Sequence, residues 1–184
     1  HPHNYNYIFA YGGSISGVSK ELKILPEGEI DCFYNRTNFA ELSKLKNWNI
    51  NTLIYPHQNY DLSCLNDLTK SKSTLKNFYN FTLYSGDSPS SPISGTLNDI
   101  SEFENLEVIY FTFQFRSSII EGIENFTNLK EIYFNYDLIS DISGIKDLTN
   151  LEEIDLSNNK LINSSMYYEE DGENYSIFTN LKKL

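Results

Sequence analysis

Basic residues are scarce: Lys and Arg number 14 against 25 Asp and Glu in 184 residues, a formal charge of −11 with a pI near 4.6. Such a chain repels phosphate backbones and anionic lipid, so neither nucleic acid nor a membrane surface is an expected partner. No apolar run approaches the ~18 residues that cross a bilayer, and no membrane insertion is expected. The start, His1 to Tyr11, lacks the basic flank and apolar stretch of a secretory signal, although one already removed would leave no trace. The sole methionine is Met166, so natural termini are not assumed.

Chemistry-bearing side chains are few, with three histidines and two cysteines. No Gly-x-x-x-x-Gly-Lys-Ser/Thr, His-Glu-x-x-His, Cys-x-x-Cys or Gly-x-Ser-x-Gly occurs. His1 and His3 form a His-x-His end that reads more simply as a disordered terminus. Glu169-Glu170-Asp171-Gly172-Glu173 lacks the alternating ligands and distant Glu of a calcium loop and reads as a solvated acidic stretch. Cys32 as nucleophile with His57 as base has no third, orienting group. The chain is therefore read as non-enzymatic, with no cofactor and no metal. Cys32 and Cys64 allow one disulfide at most, the alternative being two reduced thiols packed as small apolar residues.

What the chain does hold is a core and a repeat. Its length fits one domain, and 40% hydrophobic with 21% charged residues permits a sizeable interior. Three segments align: Glu104-Asn105-Leu106-Glu107-Val108-Ile109-Tyr110-Phe111, Thr127-Asn128-Leu129-Lys130-Glu131-Ile132-Tyr133-Phe134 and Thr149-Asn150-Leu151-Glu152-Glu153-Ile154-Asp155-Leu156. A further copy begins at Thr179-Asn180-Leu181-Lys182-Lys183-Leu184, and weaker copies lie at Ile50-Asn51-Thr52-Leu53 and Leu75-Lys76-Asn77-Phe78. Between strands the apolar residues step by three: Leu97, Ile100, Phe103, Leu106, Ile109; then Ile120, Ile123, Phe126, Leu129, Ile132; then Ile139, Ile142, Ile145, Leu148, Leu151, Ile154. That step matches neither a strand nor a long α-helix, and it suits 3₁₀ turns that return to a short strand. No unit can bury its own apolar edge, so the units must stack.

On these residues the chain resembles the leucine-rich repeat family, in the short class found in internalin-type bacterial surface proteins. Leu151-x-x-Ile154-x-Leu156-x-x-Asn159-x-Leu161 follows the family pattern. The resemblance implies an α/β solenoid, with short parallel strands on the concave side and 3₁₀ or irregular turns on the convex side. It also implies an Asn ladder between coils, matched here at Asn159, with Gln58, Gln114 and Asp137 at the equivalent positions.

Residues 1–38 fall outside the repeat and read as a small N-terminal cap of short strands, while 39–184 form the solenoid of about five repeats and the start of a sixth. Arg36 to Lys46 reads as a short helix leading into it. Insertions at 86–95 and 164–176 read as surface loops. Two registers fit the second repeat. With Leu75 and Phe78 inward, Asn80 enters the core; with Phe78, Phe81 and Leu83 inward, Asn80 is exposed. The first is favoured because it copies the downstream repeats.

Five sequons, at Asn35, Asn80, Asn125, Asn163 and Asn174, are glycosylation candidates, although 22 Asn and 31 Ser plus Thr give roughly 3.7 by chance. Strand alternation directs Val108, Tyr110 and Thr112 to the concave face. Stacking then builds one column of Ile54, Tyr79, Tyr110, Tyr133, Asp155 and another of His57, Phe113, Tyr136, Asn158, with Thr82 in the second repeat. Side-by-side aromatics suit a recognition face, with Tyr79, Tyr110, Phe113, Tyr133 and Tyr136 as anchors for a protein or glycan ligand. The alternative is a ladder that only stabilises the sheet.

The leading expectation is thus a secreted or cell-surface recognition module with a role such as adhesion. A second is a structural glycoprotein that self-assembles head to tail with copies of itself, because Leu184 stops partway through a strand motif. A third is an intracellular scaffold without glycans and with free thiols.

Overall fold

The computed structural model describes residues 4–9, 23–25, 29–31, 46–54, 61–81, 94–112, 120–162, 167–170, 173–176, 178 and 181–182. In chain order the strands are β1 (Asn4–Phe9), β2 (Lys23–Leu25), β3 (Glu29–Asp31), β4 (Asn49–Ile54), β5 (Asn77–Phe81), β6 (Val108–Thr112), β7 (Glu131–Asn135), β8 (Glu153–Asp155), β9 (Tyr167–Glu170) and β10 (Glu173–Ser176). One open sheet runs β1-β4-β5-β6-β7-β8 with every pairing parallel. β2 and β3 form an antiparallel pair, and β3 packs beside β1. This is a leucine-rich repeat solenoid, and among the described residues its helical element is the 3₁₀ turn.

The step of three explains the convex side. A residue every third position returns to the same side of a 3₁₀ turn, and its N–H meets the carbonyl three residues back. Phe103 N–H donates to Ile100 O at 3.0 Å and Leu106 N–H to Phe103 O at 3.2 Å. The next coil repeats this at Phe126–Ile123 (3.1 Å) and Leu129–Phe126 (3.0 Å), and the following one at Leu148–Ile145 and Leu151–Leu148 (both 3.0 Å). Every apolar residue in the three expected runs is buried. The same device operates one coil earlier, where Leu62, Leu65 and Leu68 are fully buried. There Ser71 takes the next apolar place; its Oγ accepts from Ile50 N–H (3.1 Å) and donates to Trp48 O (2.8 Å). The hydroxyl is satisfied, so its burial carries little penalty.

Phenylalanines tie the coils from within. The Phe78 and Phe111 rings meet edge to face at 5.4 Å, and those of Phe111 and Phe134 stand 5.5 Å apart, tilted 50°, contacts worth about 0.5 to 1.5 kcal/mol each beyond the area they bury. Gly122 closes a turn at φ 91°, and a Cβ there would lie 2.3 Å from the Asn98 backbone nitrogen. Only glycine fits.

The second repeat takes the register that starts at Leu75: Leu75, Phe78 and Asn80 are all buried. The insertion at 164–176 is not a plain loop, since β9 and β10 pair antiparallel with Glu170 opposite Glu173. The insertion at 86–95 is described only at Ser94 and Gly95, and the expected helix at Arg36 to Lys46 only at Lys46.

Candidate binding face

The sheet register sets the exposed columns. Ile54, Tyr79, Tyr110, Tyr133 and Asp155 align strand by strand, as the sequence arrangement requires. The neighbouring column reads Thr52, Asn77, Val108, Glu131, Glu153. Within the first column the Tyr79 and Tyr110 rings stand 6.2 Å apart, tilted 39°, and those of Tyr110 and Tyr133 stand 5.3 Å apart, tilted 31°. All three rings are partly exposed. Three phenols therefore make a continuous amphipathic strip across β5, β6 and β7.

The second column is less open than alternation implies. Val108, expected toward solvent, keeps only 8% of its surface, and Thr52 keeps 1%. Strands lie about 4.8 Å apart, so register partners such as Asn77 and Glu131 flank Val108 closely enough to cover a short side chain. Asn77 Nδ2 also donates to Thr52 Oγ1 at 2.9 Å.

At its β7 and β8 end the strip becomes acidic. Tyr133 O–H lies 3.1 Å from Glu131 Oε2 and also reaches the Glu153 carboxylate. Burial, followed by these two carboxylates, pushes the phenol ionisation well above its usual value, so the hydroxyl keeps its proton. Asp155 accepts Ser157 N–H at 2.9 Å and Asn135 Nδ2 at 3.0 Å.

Tyr136 follows β7 with φ 62° and is half exposed; Asn158, its counterpart one coil later, has φ 59°. A left-handed tyrosine is uncommon, whereas Asn tolerates that region. Phe113 and His57, the other aromatic members of that column, and Thr82 lie outside the described residues.

Opposite charges are sorted onto the strand entrances. Positions after the first Leu of each repeat read Lys76, Glu107, Lys130, Glu152, Lys182, alternating in sign. Glu107 reaches both Lys76 and Lys130 at 2.6 Å, and Glu152 reaches Lys182 at 2.7 Å. Beside them runs a ladder of Asn side chains: Asn105 to Ser73 O (3.0 Å), Asn128 to Glu104 O and Asn150 to Thr127 O (both 2.9 Å). Lys76, Glu107 and Lys130 with Asn105, Asn128 and Asn150 line a shallow depression of about 250 Å³. Both ladders were missed by reasoning on the apolar period, although the signal stood in the aligned Asn-Leu-charged triplets. The family-type ladder at Asn159 is present, with Nδ2 donating to Phe134 O and Leu156 O (2.5 and 2.9 Å) and Oδ1 accepting Ile139 N–H (3.0 Å). Asp137, at the equivalent position, is buried.

Of the sequons, Asn80 is fully buried and sealed by folding. Asn125 is exposed in a convex 3₁₀ turn, with Nδ2 donating to Asn98 Oδ1 (2.8 Å) and Gly122 O (3.1 Å). Asn174 sits on β10, and Asn35 and Asn163 lie outside the described residues. Cys64 is a half-buried free thiol, its ionisation pushed up by burial and then by Asp61 and Asp67; Cys32, its candidate bridge partner, lies outside the described residues. Among the described residues no cluster of three His, Cys, Asp or Glu is placed to hold a metal, and no helix is long and apolar enough to cross a membrane.

Residues 127–167 match the family described as Leucine Rich repeats (2 copies). Among solved structures, an internalin from Listeria monocytogenes is similar over 68% of this chain and 40% of its own, with 18% identity and a TM-score of 0.50. An internalin C2 from the same organism is similar over 79% of this chain and 64% of its own, with 19% identity and a TM-score of 0.49. The chain thus spans less than two thirds of either internalin. No curated protein matches it. The class these findings define is a leucine-rich repeat fold.

Proposed function

We propose that the chain is an extracellular leucine-rich repeat recognition module that binds a protein or glycan through its concave face, with Tyr79, Tyr110, Phe113, Tyr133 and Tyr136 as anchors, and that it is not an enzyme. The observation that carries this is the unbroken Tyr79–Tyr110–Tyr133 stack on the exposed side of three parallel strands. Tyrosines supply large contact area at low entropy cost, each with a polar tip. A stack that only braced the sheet would not need Tyr136, which is half exposed in a left-handed conformation just past β7. Backbone strain of that kind collects at functional positions. The extracellular setting is compatible with Asn125, whose sequon is exposed on the convex side, away from the tyrosines.

The test compares the native chain with Tyr110→Ala/Tyr133→Ala on arrays of cell-surface ectodomains and of glycans. Truncating two central anchors costs binding roughly 30-fold or more while circular dichroism stays unchanged. A double variant that keeps every contact of the native chain overturns the reading.

A further inference from the structure

Asn80 opens an Asn-x-Thr sequon, completed by Thr82 in the sequence, and it is also a core residue. It lies on β5 two places after Phe78, and its register partner on β6 is Phe111; all three are fully buried. Protein interiors are close-packed, and a glycan is bulky and demands water, so a sugar on Asn80 and the native β5 exclude each other. Turning Asn80 outward to keep a glycan in solvent would turn Phe78 out with it, because side chains two apart on a strand share a face. That forfeits the edge-to-face contact of Phe78 with Phe111 at 5.4 Å, which ties β5 to β6.

Synthesis puts the two events in order. At roughly 5 to 20 residues per second, Phe111 is made about 2 to 6 s after Asn80, its partner in the sheet. Coils bury their apolar edges by stacking, so Asn80 stays open on its β6 side through that interval. We propose that N-glycosyl transfer to Asn80 and folding of the solenoid are competing fates of the new chain, so that the native protein belongs to a route of synthesis in which no such transfer precedes folding. In the transfer, Asn80 Nδ2 attacks C1 of a sugar carried on a lipid diphosphate. The Nδ2–C1 bond forms, the bond from C1 to the phosphate oxygen breaks, the lipid diphosphate leaves, and the amide proton passes to a base of the transferase. The modified asparagine cannot enter the core, and the chain is held short of its native sheet. Asn125 differs, since it is exposed on a convex turn and a glycan there leaves the core intact. None of this depends on what the concave face binds.

The test directs the chain, behind a secretory leader, through mammalian cells, whose secretory pathway carries out this transfer. Peptide mass spectrometry reads glycan occupancy at Asn80 in the retained and the secreted fractions. Thr82→Ala and Thr82→Val, which remove the sequon and keep Asn80, are run beside the native chain. All three are also made in bacteria that lack the transfer, where circular dichroism and a cooperative thermal transition identify a variant that folds as native. Occupied Asn80 is expected in the retained fraction alone, and the variant that folds raises the secreted yield several-fold. Secreted, cooperatively folding protein with a glycan on Asn80 overturns the proposal. Bare Asn80 in every fraction overturns it too, by showing that β5 is buried before transfer can reach it, as does a secreted yield unchanged by removal of the sequon.

Discussion

Asn128 donates from Nδ2 to the carbonyl oxygen of Glu104 at 2.9 Å, joining two successive coils at the point where each enters its strand. Asn105 and Asn150 repeat the bond on either side, so in these three Asn-Leu pairs the asparagine fastens its coil to the one before. Coil stacking is the only way these units bury their apolar edges, which makes such bonds cooperative with the core. Asn128→Ala leaves one carbonyl to water and is expected to cost about 1 kcal/mol. Urea unfolding should show a lowered midpoint with an unchanged slope, and an unchanged midpoint would mean water replaces the amide without loss.

Glu107 stands between Lys130 and Lys76, which hold its carboxyl below the usual glutamate range, Lys130 having the larger effect. Its folded value is depressed, so its contribution is present above the ordinary value of about 4.3 and is lost as pH falls through the lowered folded value. The pairs are solvent-exposed and small in effect. Glu107→Gln should therefore lower the melting temperature slightly at neutral pH and low salt. The difference from native should vanish in strong salt and toward low pH, and a gap that survives both conditions would point to packing instead of charge.

How much of this was legible before folding differs by layer. The step-of-three runs from Leu97 to Ile154 gave the convex side outright, because a 3₁₀ turn has no other place for a residue every third position. The turn at Leu62, Leu65 and Leu68 escaped because Ser71 continues it with hydrogen bonds where an apolar side chain would extend the pattern. Alternation placed Tyr79, Tyr110 and Tyr133 in one column but overestimated the exposure of Val108, since alternation sets direction and the neighbours' bulk sets access. The β9–β10 pairing had a signal that acidity masked: Asp171-Gly172, a pair favoured in two-residue hairpins, lies between the paired Glu170 and Glu173. The carboxylates around Tyr133 became a feature only when stacking brought Glu131 and Glu153 side by side.

Gly122 is held at φ 91°, where a Cβ would fall 2.3 Å from Asn98 N and 2.8 Å from the Leu97 carbonyl carbon. Both obstacles are backbone and cannot swing aside. Gly122→Ala therefore combines a left-handed alanine with overpacking against the preceding coil, on the order of 3 kcal/mol together. Thermal unfolding of this variant should begin well below that of native protein. Gly144→Ala, whose Cβ would meet only the movable Ile123 side chain at 2.9 Å and whose backbone is not left-handed, should cost less. Equal effects would show that the left-handed backbone at 122 contributes little.

Tyr136 and Asn158 occupy the same left-handed position in consecutive coils, yet only one of them is a residue that tolerates it. Copying the downstream coil with Tyr136→Asn removes the mismatch without altering the turn, in which Tyr136 N–H donates to Ser157 O at 3.0 Å. The expected result is a gain in stability of about 0.5 to 1 kcal/mol, together with weaker binding at the concave face if the ring is an anchor. Stability and binding moving in opposite directions is the signature of a residue retained for contact with a partner. Should Tyr136→Asn lower the unfolding midpoint and leave binding untouched, the ring is part of the packing and the anchor set contracts to the column of Tyr79, Tyr110 and Tyr133.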